Sequence, residues 1–153
     1  MKNKLLILSS VCVMVLGLST ISLAQKCTED GAIRRVTKAR TGNFETVTFE
    51  VNSTGPNYQI STAHPPFKYS EGDRLLHIRG KSFKEIQFKS VFWTCKIAEN
   101  FSAHTAQIID VKQTDQFEGY VSYVIGYRTK SKYVGVSKST DGGKTKVVIK
   151  FKR

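Results

Sequence analysis

Apolar side chains recur at every second position through most of this chain. In Glu45–Asn52, Val47, Phe49 and Val51 point one way while Thr46, Thr48 and Glu50 point the other. That is the pattern of a half-buried strand. Tyr120–Arg128 repeats it with Val121, Tyr123, Ile125 and Tyr127. Lys146–Lys152 sets Val148 against Val147, Ile149 and Phe151. Helices need apolar positions three and four apart, so these segments cannot present one apolar face as helices.

Weaker strand signals fill the rest. Tyr58 and Ile60 follow a Gly55-Pro56-Asn57 turn, and Leu75–Arg79 places Leu76 and Ile78 inward with His77 outward. Phe83–Phe88 breaks the period between Phe83 and Ile86, which predicts a bulge. Ser90–Cys95, Ala106–Lys112 and Lys132–Ser137 are further strands, Phe117-Glu118-Gly119 is a turn or bulge, and Asp141-Gly142-Gly143-Lys144 is a hairpin signal. Only Lys96–Ala106 has spacing that suits a short helix. The expected fold is all-β: a β-sandwich or partly closed barrel of about eight to nine mostly antiparallel strands.

Residues 1–24 stand apart. Lys2 and Lys4 precede an apolar run from Leu5 to Leu18, and Ser22-Leu23-Ala24 offers small residues at a cleavage site. This predicts a signal peptide cut before Gln25, with a single secreted domain over 25–153 and no stable transmembrane segment after cleavage. An uncleaved anchor is the alternative, although the run is short for a spanning helix. The expected location is secreted, periplasmic or in the cell envelope.

Two cysteines then remain, Cys27 and Cys95. In an oxidising compartment such a pair reads as a disulfide. Free thiols are the alternative, while a metal site is disfavoured because neither cysteine has a close Cys or His partner. No cofactor or metal is implied. His64, His77 and His104 are scattered, and no nucleophile–base or metal-ligand spacing is present. The chain reads as a non-enzyme. A small hydrolase is a lesser alternative, with Glu71, Asp73, Asp115 and Glu118 as its acids.

Charge carries the partner reading. Of 153 residues, 24 are Lys or Arg and 12 are Asp or Glu, a formal net charge of +12. Basic residues cluster at 34–40, at 79–89 and from Arg128 to Arg153. Such a surface attracts polyanions. An exported protein meets anionic envelope polymers and glycans, so no nucleic acid is expected. The alternative is that these are solvated strand faces, with lysines that discourage edge pairing.

Two stretches carry a family resemblance. The first is Thr41–Val51 followed by Gly55-Pro56-Asn57-Tyr58. The second is Gln116–Tyr127, with Phe117-Glu118-Gly119-Tyr120, then Tyr133-Val134-Gly135-Val136 and the closing Lys146–Phe151. Their order resembles the AMIN-like domain of secreted bacterial proteins, which is related to AMIN domains that localise to the cell wall. The resemblance implies a β-sandwich that targets the envelope. Lys150-Phe151-Lys152 departs from the acidic ending usual in that family, and the segment with Trp93 and Cys95 has no clear counterpart.

The expected function is therefore a non-catalytic module that binds peptidoglycan or another anionic envelope glycan. Trp93, Tyr120, Arg128, Lys132 and Tyr133 are the candidate ligand residues, because rings stack on sugars and cations pair with carboxylates or phosphates. Core packing is the other role open to Trp93, given its apolar neighbours Val91 and Phe92. The alternative function is a secreted interaction or inhibitor protein that engages an envelope protein through an edge strand or the basic surface.

Overall fold

The computed structural model describes residues 27–153 except Glu71, 96–98 and 101–104, with backbone alone for Glu99 and Asn100. The expected signal peptide, Glu71, His104 and most of the expected helix lie outside the described residues. Alternating patterns become strands throughout: β1 (Ala32–Thr41), β2 (Phe44–Asn52), β3 (Asn57–Thr62), β4 (Phe67–Tyr69), β5 (Arg74–Leu76), β6 (Ser82–Lys89), β7 (Trp93–Thr94), β8 (Glu99–Asn100), β9 (Ile108–Phe117), β10 (Tyr120–Tyr127), β11 (Lys132–Asp141) and β12 (Lys144–Lys152). Among the described residues there is no helix. Glu99–Asn100, inside the segment where a helix was expected, pairs with β1 instead.

The strands form two sheets of a sandwich plus a small hairpin. Sheet one runs β11-β12-β2-β1, with short parallel β7 and β8 against β1; sheet two runs β3-β6-β10-β9. The long pairings are antiparallel. Neither sheet closes on itself, so the sandwich form holds and the barrel form does not. Val47, Phe49 and Val51 of β2 and Val147, Ile149 and Phe151 of β12 are buried on the inner face. They meet Ile86, Phe88, Val121, Tyr123 and Ile125 of sheet two. Phe49 centres this layer, with its ring 5.2 Å from Phe88 and 5.1 Å from Tyr123. The terminal β12 lies between β11 and β2, which keeps its apolar face from fraying.

Turns fall where backbone permits them. Glu118-Gly119 and Gly142-Gly143 take positive φ at both central positions, as tight two-residue hairpins require. A disulfide joins Cys27 to Cys95 across a Cα separation of 5.7 Å, packing with Ala32 and Trp93. It closes a loop of 68 residues, which in the chain-entropy picture contributes about 4 kcal/mol.

Four expectations change. β1 was not anticipated, because only Ala32, Ile33 and Val36 are buried along it and a register shift between Ile33 and Arg35 blurs the alternation. Ser90–Cys95 shrinks to Trp93–Thr94, and the segment Leu75–Arg79 leaves the sheet after Leu76. No bulge interrupts β6, whose register with β10 is continuous. Phe83 faces the opposite side from Ile86 and Phe88, and its ring meets that of Phe67 edge-on at a centroid distance of 4.9 Å.

That contact exposes the main departure from a simple sandwich. Every residue of β10 from Val121 to Tyr127 is buried, because both faces of sheet two are covered. Sheet one covers the inner face. The β4–β5 hairpin and the chain just after it cover part of the outer face, packing Phe67 and Ile78 against Val124. The chain after β5 crosses directly over β10. A Cβ on Gly126 would lie 2.0 Å from the Arg79 carbonyl oxygen. The Lys81 amide donates to Tyr127 O at 3.0 Å, and the Arg79 amide donates to Asp110 Oδ2 at 3.1 Å.

Gly126→Ala forces the crossing segment off the sheet. It is expected to lower stability by about 3 kcal/mol in urea unfolding. Gly142→Ala, at an open hairpin with φ +52, is expected to cost about 1 kcal/mol from its left-handed backbone alone.

Candidate functional site

Strand alternation decides where the positive charge goes. Since Thr145, Val147, Ile149 and Phe151 of β12 point into the core, Lys144, Lys146, Val148, Lys150 and Lys152 face out. Same-face residues repeat every ~6.8 Å, so Lys144 and Lys152 stand about 27 Å apart. Lys132 of β11 is directly opposite Lys152. On the other side of β12, register sets Thr46 beside Lys150 and Thr48 beside Val148. Lys150 Nζ lies 5.2 Å from the Phe44 ring centroid. Glu50 is beside Lys146 and meets the Arg34 guanidinium at 3.8 Å. The result is an outer face of lysines interleaved with hydroxyl side chains. Like charges placed opposite each other repel, by roughly 0.2–1 kcal/mol per pair. An anion that bridges Lys132 and Lys152 relieves that repulsion.

The five residues expected to bind ligand are not gathered in one place. Lys132 belongs to the lysine face. Tyr133, its neighbour, points the other way and packs on Phe151 at 6.0 Å, with Lys84 Nζ 5.0 Å from its ring centroid. Burial pushes the Tyr133 hydroxyl pKa up, and Tyr58 adds to the effect. Arg128 donates from Nε to Ala106 O at 2.7 Å, bracing the loop before β9. Trp93 packs with the disulfide, the core role left open for it. Tyr120 is exposed at the start of β10, about 27 Å along the strand from Arg128. The lysines of β12 were legible as a period-two series but were not singled out.

The expected acids also scatter. Asp73 and Glu118 occupy turns with positive φ, and Asp73 pairs with Lys68 at 3.3 Å. Asp115 instead lines a cleft between the β4–β5 hairpin and the outer face of sheet two, of about 340 Å³. Glu85, Gln87, Thr114 and Ser122 also line it. His64 stands at its rim, and His77 is exposed as expected. Among the described residues, no three His, Cys, Asp or Glu side chains group as a metal site.

Another carboxylate, Glu45, is wholly buried at 0% exposure. Its Oε1 accepts the Ala106 amide at 2.9 Å, and Oε2 accepts the Gln107 and Ile108 amides at 2.8 and 2.9 Å. Arg153 Nε lies 4.0 Å away. These bonds tie the entry of β9 in sheet two to β2 in sheet one. Glu45 is therefore a fastening between the sheets, with its acceptor capacity taken up by backbone.

No family model, no curated protein and no solved structure matches the chain.

Glu45→Ala leaves three amides without their acceptor and is expected to cost about 4 kcal/mol. Glu45→Gln, which keeps one carbonyl acceptor, is expected to cost roughly half as much. Urea unfolding of the two variants beside the parent protein checks both values.

Proposed function

We propose that this protein is an exported, non-catalytic binding module that holds peptidoglycan or another anionic envelope glycan on the outer face of sheet one. The carrying observation is the row Lys144, Lys146, Lys150 and Lys152, extended sideways by Lys132. Cations repeating along a rigid strand match a polymer with repeating anions. The intervening Thr46, Thr48 and Ser137 offer hydroxyls to sugar rings. The Cys27–Cys95 disulfide fits an oxidising compartment. Among the described residues no helix is long and apolar enough to cross a membrane. The resemblance of Thr41–Val51 and Gln116–Tyr127 to AMIN-like domains supports the same reading.

A protein partner is the second reading. It is favoured by the open edge of β11 and by the exposed Phe92, Phe117 and Tyr120 at the far end of the sandwich. Lysines and the register shift between Tyr133 and Gly135 oppose strand addition at that edge.

Cosedimentation with purified peptidoglycan at low and high salt tests the proposal. Lys146→Glu/Lys150→Glu is expected to reduce the bound fraction about tenfold at low salt. Lys81→Glu/Lys89→Glu, which changes net charge equally away from this face, is expected to leave most binding intact. Equal losses in both variants would reduce the lysine face to unspecific charge. No binding by the parent protein would favour the protein partner.

A further inference from the structure

We propose that the cleft between the β4–β5 hairpin and sheet two is a second binding site, for a small ligand carrying an ammonium group among hydroxyls, of which an amino sugar is the simplest kind. This inference does not rest on the lysine face. The two sites lie on opposite sheets and have opposite electrostatics.

Strand order builds the cleft. β10 lies at the centre of its floor and supplies Ser122 and Val124. β6 contributes Glu85 and Gln87 on one side, and β9 contributes Thr114 and Asp115 on the other. The two carboxylates thus flank β10. Phe67 and Pro66 from the overlying hairpin form an apolar wall. The volume of about 340 Å³ lies within the range of small-molecule sites.

Three observations point to a cationic, hydrogen-bonding ligand. First, among the described residues neither Glu85 nor Asp115 has a cationic side chain within 4.0 Å, although the protein carries a net charge of +12. Lys68 lines the cleft, but its Nζ is drawn to Asp73 at 3.3 Å. Second, the carboxylates are held by hydroxyls. Ser70 donates to Asp115 and Ser61 donates to Glu85 at 3.5 Å, which leaves much of their acceptor capacity for a ligand. Third, Thr114 is only 7% exposed and its Oγ1 has no hydrogen-bond partner. Buried hydroxyls are nearly always paired, so an unpaired one on a residue that lines a polar cleft points to a ligand hydroxyl as its partner.

The β9 register explains how Thr114 gets there. Ser122 pairs with Asp115 and Tyr123 with Gln113, leaving Thr114 as the extra residue of a bulge. Bulges re-aim side chains in this way. Two carboxylates and a few hydroxyls fall short of the six to eight oxygens that calcium takes. An ammonium needs only a few acceptors, and adjacent ligand hydroxyls engage Thr114, Ser122 and Gln87.

Amide NMR of the full-length protein, titrated with glucosamine, glucose and glucuronate in turn, tests the site. Glucosamine is expected to shift the amides of Glu85, Thr114, Asp115 and Ser122 with a Kd on the order of 1 mM. Glucose is expected to bind about tenfold more weakly, and glucuronate more weakly still. Glu85→Gln is expected to weaken glucosamine about tenfold and Thr114→Val about fivefold, while Thr114→Ser, which keeps the hydroxyl, retains binding. Lys146→Glu/Lys150→Glu is expected to have no effect, separating this site from the lysine face. The proposal is overturned if glucosamine gives no saturable shifts, if glucuronate binds as well, if calcium chloride alone saturates the same amides, or if Glu85→Gln and Thr114→Val both bind as the parent does.

Discussion

The backbone of Arg79 and Gly80 presses against Gly126 so closely that no side chain fits between them. A β-sandwich needs only one covered face per sheet. Here the contact at Gly126, with the amide bonds from Arg79 to Asp110 and from Lys81 to Tyr127, fastens a second cover over sheet two. Phe83, Phe67, Ile78 and Val124 then gain a small core of their own. The hairpin shields part of the sheet and leaves the rest as a walled cleft. Without that approach the outer face of sheet two would be an ordinary solvated surface, and its polar side chains would face water.

The same geometry separates charge. Lysines on β12 occupy the outer face of sheet one, while Glu85 and Asp115 occupy the cleft on the outer face of sheet two. The hydrophobic layer between them is about 10 Å thick, and side chains add to the distance. At physiological salt the screening length is about 8 Å, so the two faces act on their partners nearly independently. A polymer with repeating anions is drawn to one face, and a small cation to the other. The net charge of the chain describes neither face.

Glu45 shows why a single buried acid does not announce chemistry. It sits on the inward register of β2, where alternation calls for an apolar side chain. Three successive amides at the entry to β9, that of Ile108 buried, need an acceptor, and the carboxylate provides it. This fastening and the layer around Phe49 join the two sheets at separate points, while the disulfide ties the chain ahead of β1 to the end of β7 within sheet one.

Much of the sheet content was legible because burial on one face writes itself into the sequence at period two. Val47-Phe49-Val51, Val121-Tyr123-Ile125-Tyr127 and Val147-Ile149-Phe151 predicted their own inner faces, and Asp141-Gly142-Gly143-Lys144 predicted its hairpin. β1 escaped because a register shift breaks its period, and Phe83 was misread because its partners lie on a face that local pattern assigns to solvent. Trp93, Tyr120, Arg128, Lys132 and Tyr133 are of residue types that bind glycans, but residue type carries no position across strands. What the sequence by itself determined was the all-β class, the inward faces of its long strands and the excess of positive charge, since these follow from local spacing and composition. Only the tertiary structure decided that Lys132 joins the β12 lysines, that Glu45 bridges the sheets, and that Glu85, Thr114, Asp115 and Ser122 meet in a cleft. Those groupings depend on strand order and on a hairpin folding back, which are non-local contacts that no short stretch of chain encodes.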